Sequence, residues 1–259
     1  MNISLLVILP ILTAVALLFC NGLKQVRTVS LIGATAQLAL AFALLILYWN
    51  DRATGNTAQM LFESSYTWFA PLHINFHVGV DGISIAMIAL TSFIVLAGVL
   101  MSWKEDRMSK EFFFLLILLS AGAYGFFISL DLFTMFFFLE VAVIPKFLLI
   151  GIWGSGKKEY SAMKLALMLM GGSALVFVGL LGLYFNTDVG GGVHSFDLLQ
   201  ISKMHIPVDV QKMFFPFAFV GFGIFGALFP FHTWVPDGHS SAPTAASMFL
   251  AGISMKLGG

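Results

Sequence analysis

The chain has 259 residues, 59% of them hydrophobic and only 10% charged, with a mean hydropathy of +0.96. A water-soluble domain carries roughly 25% charged residues and cannot hide this much apolar surface at this size, which excludes a soluble enzyme, a nucleic-acid binder and a disordered tail. Lys+Arg 13 against Asp+Glu 13 leaves no net charge to attract an anionic partner, and the single cysteine, Cys20, excludes a disulfide framework or a four-thiolate cluster within the chain.

The remaining class is an all-α polytopic membrane protein. A helix needs about 20 mostly apolar residues to cross the hydrocarbon. Such runs occupy residues 3–20, 29–49, 83–103, 112–130, 132–153, 163–185 and 213–230, and an eighth starts near Pro243 and is cut off at Gly259. The runs are continuously apolar, without the alternation of barrel strands. The first has no Lys or Arg before it and does not read as a secretory signal.

Lys24, Arg27, Lys104, Arg107, Lys110, Lys157 and Lys158 follow odd spans, whereas Arg52, Lys203 and Lys212 follow even ones. The bias of basic residues to the cytoplasmic side places the N-terminus outward. Two outward loops are long, 50–82 and 186–212, and Gly190, Gly191 and Gly192 predict flexibility in the second.

Ionisable residues inside spans cost about 2.5–3.5 kcal/mol each at a helix centre, so they mark function. Glu140 lies mid-span among phenylalanines, beyond snorkelling reach, and reads as a proton- or ion-binding carboxylate. Lys256 lies in the eighth run and reads as a desolvated lysine able to carry protons. Lys146 follows Pro145, six residues after Glu140 and about 240° around the helix from it, which favours snorkelling to the cytoplasmic side over pairing. Lys164, one turn into the sixth span, reads as an interfacial anchor or a relay.

The seventh run ends in Pro230, Pro236 and Gly238, which cannot continue one regular helix. A break at membrane depth is tolerated only against protein or a wet cavity, and His232 beside it is a further candidate for proton transfer. His232, Asp237 and His239 in this turn are weak grounds for a metal site, and none is expected. Gly221, Gly223 and Gly226 match a dinucleotide-binding spacing but sit in a membrane span, where small residues serve helix packing. Cys20 reads as buried and inert.

The stretch Phe136-Phe137-Phe138-Leu139-Glu140, followed by Ile144-Pro145 and by Leu149 to Gly154, resembles the fifth helix of the antiporter-like chain M of respiratory complex I. His77-Val78-Gly79-Val80-Asp81-Gly82 resembles the entry to that family's third helix. Pro230-x-His232-x-Trp234-Val235-Pro236-Asp237-Gly238-His239 with Ala242-Pro243-Thr244 is similar to its broken seventh helix and the start of its eighth, and Leu250-Ala251-Gly252-Ile253-x-x-Lys256 continues the likeness.

The resemblance implies the first part of a fourteen-helix antiporter-like fold, with helices 1–3 and their outward loop 50–82 in residues 1–111 and a proton-translocating unit of helices 4–8 in residues 112–259, cut short at its end. It implies a proton-translocating subunit of NADH:quinone oxidoreductase, in the bacterial cytoplasmic membrane, that moves protons through Glu140, Lys256 and His232. This chain would hold no cofactor. FMN, iron–sulfur clusters and quinone would belong to partner subunits, and its neighbours would be the sister antiporter-like and quinone-module chains and the lipid bilayer. Multi-subunit Na⁺/H⁺ antiporters and hydrogenase-type membrane complexes share the wider family and form the alternative. Phe225 stands where the family commonly has the lysine that pairs with its glutamate, which makes Lys146 a candidate replacement.

Overall fold

The computed structural model describes residues 2–187 and 194–259, so the expectation about Gly190, Gly191 and Gly192 lies outside the described residues. The apolar runs fold as helices. Those long and apolar enough to span a membrane are α2 (Leu23–Ala53), α3 (Gly82–Met101), α4 (Ser109–Ile128), α5 (Leu132–Trp153), α6 (Lys158–Phe185) and α8 (Val208–Phe225). Two shorter apolar helices, α1 (Leu5–Leu18) and α10 (Thr244–Gly252), and two small ones, α7 (Leu198–Ile201) and α9 (Trp234–Ser241), complete the α-helices among the described residues. The chain is a multi-pass membrane protein.

Polar residues set the helix boundaries. Aspartates start three helices by accepting from amides of the first turn: Asp81 from Ser84 N at 2.7 Å, Asp131 from Phe133 N and Thr134 N at 3.0 Å, and Asp197 from Leu199 N at 2.9 Å. The helices run past the apolar runs at their polar ends, because Lys158, Glu159, Lys24 and Arg27 are good helix formers that reach water. α4 is the most enclosed span, 72% buried along its apolar window, and packs against α1, α3 and α5. Small residues admit α5: Gly122 and Gly125 of α4 lie against Ala142 and the Phe138 ring.

The loop 50–82 contains a feature the apolar pattern did not predict. Leu61–Phe69 (β1) and Ile74–Val80 (β2) form an antiparallel hairpin, with Ser65 opposite His77 and Tyr66 opposite Phe76. Ile74, Phe76, Val78 and Val80 alternate at the strand period, and Val78 and Val80 are fully buried. His73, at φ 51°, turns the chain between the strands, and Phe62, at φ 57°, coincides with a register shift. The hairpin lies across the ends of α4 and α5, where Leu130 N donates to His77 O at 2.8 Å and Trp68 meets Phe137 edge to face.

The seventh apolar run is interrupted. α8 stops at Phe225, Ala227 takes φ 58°, a cis Phe229–Pro230 bond follows, and a short 3-10 turn at Phe231–Thr233 leads into α9. Trp234, 1% exposed, donates from Nε1 to Ile224 O at 3.0 Å, a carbonyl that also accepts from Ala227 N at 3.2 Å, and so ties α9 to the end of α8. Gly258 packs against the backbone of Phe222 and Phe225 at the end of α8, whereas Leu228, Phe229, Pro230, His232 and Thr233 of the irregular segment are exposed.

Candidate functional site in the membrane-spanning helices

α5 carries two ionisable residues within its span, Glu140 and Lys146. Glu140 sits on its third turn, half-buried, and its Oε1 is enclosed with no hydrogen-bond partner. Ser173 of α6 lies beside the carboxylate but donates its own hydroxyl to Met170 O at 3.0 Å. The stacked rings of Phe136 and Phe177, with centroids 5.1 Å apart, hold α5 and α6 together one turn away.

Lys146 does not snorkel. It is 1% exposed and its Nζ is buried without a hydrogen-bond partner. The reason lies on the helix surface: Leu139, Ala142, Val143, Leu149 and Ile150, one and two turns away, are all buried in the central apolar cluster, and Lys146 shares their face. Phe225, the position at which the resemblance expected a lysine, is 1% exposed and belongs to the same cluster. Glu140 and Lys146 lie close enough for each charge to act on the other.

The other sequence candidates lie elsewhere. Lys164 Nζ pairs with Asp237 Oδ2 at 2.6 Å, tying α6 to α9, and stands 5.7 Å from the Tyr160 ring centroid. Ser161 and Ser241, 2.8 Å apart, add a second tie between these helices, and His239 Nδ1 bonds Ser247 Oγ of α10 at 2.8 Å. His232 is exposed against the Phe229 ring, and Lys256 is exposed and donates to Ala251 O. The structure therefore places Glu140 and Lys146 on one helix, each within the field of the other but without a hydrogen bond or ion pair between them, and leaves His232, Lys256 and Lys164 with other partners. Among the described residues no group of three or more His, Cys, Asp or Glu side chains is placed to hold a metal ion.

A polar cluster missed by sequence reasoning caps the hairpin end. Asp131, 1% exposed, accepts from Phe133 N, Thr134 N, Thr134 Oγ1 and Asn75 N at 3.0–3.2 Å. Burial pushes its carboxyl above the ordinary carboxylate range, although all of these hydrogen bonds favour the charged form. His77 Nδ1 lies 2.9 Å from Asp197 Oδ2, and its Nε2 3.8 Å from Glu63 Oε2. Asp131 was visible as an aspartate directly before an apolar run, the N-cap signal. The pairing of His77 with Asp197 joins residues 120 apart and leaves no local trace in sequence.

The comparisons agree with this architecture. Residues 129–259, just over half of the chain, match the family described as NADH:quinone oxidoreductase/Mrp antiporter, TM. NADH-quinone oxidoreductase subunit M of Rickettsia prowazekii is 35% identical over 263 residues, covering 99% of this chain and 52% of that protein. A chain of respiratory complex I from Thermus thermophilus superposes with a TM-score of 0.82 at 22% identity, covering 96% of this chain and 49% of its own length. A chain of the Mrp complex from Dietzia sp. superposes at 0.79 with 20% identity, covering 99% of this chain and 46% of that one. The chain spans about half the length of the curated relatives it matches. With the apolar spans, the interrupted helix and the mid-span glutamate in place, the chain belongs to the NADH:quinone oxidoreductase/Mrp antiporter family of membrane proteins.

Proposed function

We propose that this chain is a proton-translocating membrane component of an NADH:quinone oxidoreductase, with Glu140 as the acid that binds and releases the proton inside the membrane. One observation carries the reading: a carboxylate held midway along a membrane helix, with an enclosed oxygen that no protein group satisfies. Such a group is expensive unless its protonation is used. Electron transfer takes place in partner subunits that hold FMN, iron–sulfur clusters and quinone, and reaches this chain as a change in the field around Glu140. The other membrane chains of the complex and lipid cover its exposed apolar faces. His232, Lys256 and Lys164, which stand apart from Glu140 with other partners, would carry the proton beyond it.

The membrane is the bacterial cytoplasmic one, with the N-terminus and the hairpin outward. Clustering of Arg27, Asp106, Arg107 and Trp153 at the end away from the hairpin supports this orientation, through the 2.6 Å Arg27–Asp106 pair and the 2.7 Å bond from Trp153 Nε1 to Arg107 O.

The test is Glu140→Gln in the assembled complex, in sealed membrane vesicles. NADH-driven acidification is expected to fall by roughly 100-fold, the lower end of what a positioned proton-transfer group contributes. Unchanged acidification per NADH oxidised removes Glu140 from the mechanism. The likeness to the Mrp chain supports a second reading, sodium/proton exchange without a redox partner. Sodium-driven proton movement that is indifferent to NADH favours it.

A further inference from the structure

Two buried side-chain groups of α5 lack a hydrogen-bond partner, and a backbone carbonyl between them lacks its helical donor. Glu140 Oε1 and Lys146 Nζ are both buried and unsatisfied. Between them Pro145, inside the helix, has no amide hydrogen to give the carbonyl of Val141, four residues back. Glu140 and Lys146 are about 9 Å apart along the axis and on different faces, too far for a rigid direct ion pair. Helical side chains lean toward the N-terminus, however, so the long stem of Lys146 runs back toward the level of Val141 and Glu140. A buried water needs two to four polar partners, and these groups together supply three.

We propose that Lys146 is a proton-carrying partner of Glu140 on the same helix, joined to it by water held at the Val141 carbonyl that Pro145 leaves free. The proposal rests on Glu140 being the proton-binding acid. In the transfer step Glu140 in its acid form gives its proton to the bridging water, and that water gives one of its own to the lone pair of the neutral Lys146 amine. The O–H bond at Glu140 breaks, an N–H bond at Lys146 forms, and the water is regenerated. A neutral acid–amine pair thereby becomes a carboxylate–ammonium pair without net change of charge. The helix is thus a two-site element, in which the state of one group sets the cost of charging the other.

Four variants in the assembled complex test the proposal: Glu140→Gln, Lys146→Met, the double variant, and Lys146→Arg. The first readout is the thermal midpoint of the chain in its membrane, followed by proteolysis. Removing one partner of a buried charge pair leaves the other uncompensated, whereas removing both does not. Each single neutral variant is expected to melt lower and the double variant to regain most of the loss. Additive losses would refute the pairing.

The second readout is proton pumping per electron. Arginine keeps the positive charge but cannot release its proton. Lys146→Arg is expected to lose pumping by about 100-fold where the chain still accumulates. Near-normal pumping in Lys146→Arg, or in Lys146→Met, overturns a proton-carrying role. Normal pumping in Glu140→Gln instead removes the underlying reading, whatever the thermal cycle shows.

Discussion

Substituting Gly122 by Ala tests whether α4 positions the helix that carries Glu140. A Cβ at this position would lie 2.9 Å from Ala142 N, 3.0 Å from Ala142 Cβ and 3.0 Å from Phe138 O. Two of those atoms are backbone, so no rotamer change relieves the contact. Ordinary carbon contacts lie at about 3.5–4.0 Å, so α5 must withdraw by roughly 0.5 Å or more. Overpacking of this kind costs about 1–3 kcal/mol. Against this, Ala regains about 0.8–1.0 kcal/mol of helix propensity over Gly, so the net loss is up to about 2 kcal/mol.

Gly171 of α6 is the internal control, because nothing lies within 4 Å of a Cβ built there. Gly171→Ala keeps the propensity gain with no packing cost and should melt at or above the parent. The assay is thermal melting of the two variants in one detergent, with vesicle acidification measured alongside. Gly122→Ala should melt below Gly171→Ala and pump less, because Ala142 is two residues from Glu140. A Gly122→Ala variant as stable as Gly171→Ala refutes the close approach of α4 and α5 on which the site's geometry depends.

Two further outcomes concern the hairpin end. The folded-state pKa of Asp131 is raised, so the native chain binds this proton more tightly than the unfolded chain does. Its contribution to stability is therefore greatest in acid and falls as pH rises from the ordinary carboxylate range through the raised folded value. Asp131→Asn should flatten that part of the stability–pH profile, and parallel curves for parent and variant would count against it. His77→Ala removes the ties to Asp197 and Glu63, of which the 2.9 Å contact to Asp197 is the shorter. Amide hydrogen exchange in β1, β2 and α7 should quicken several-fold, and unchanged exchange would show that the cluster does not fasten the hairpin.

The parts of this architecture written at short range were legible. Runs of apolar residues announce spans whatever they pack against, and Pro230 marks the interruption. Pro236 and Gly238, expected to break the helix as well, lie within α9, where Pro236 sits in the first turn and needs no amide hydrogen. The strands were legible in part: the alternation at Ile74, Phe76, Val78 and Val80 is a strand signature, but it sits in a loop otherwise defined by its lack of long apolar runs. Lys146 shows where a correct angle leads to the wrong neighbour. Its rotation from Glu140 points to separation and, near Trp153, to snorkelling, whereas the same wheel places it among Leu139, Ala142, Val143, Leu149 and Ile150. Burial of that face depends on what α4 and α6 present to it, which no single helix encodes. The ties of Lys164 to Asp237 and of His77 to Asp197 span 73 and 120 residues, and exist only once the bundle has closed.

Asp131 gives the molecule a datum for depth. This carboxyl group holds strand β2 through Asn75 and the first turn of α5 through Phe133 and Thr134, so the helix is hung from the hairpin at a fixed height. Glu140 lies nine residues further on, about 13 Å along the axis. Its position across the membrane is therefore measured from the hairpin, whose own strands are joined backbone to backbone, and not from the surrounding lipid. Whatever the thickness of the bilayer, the acid keeps its distance from the hairpin.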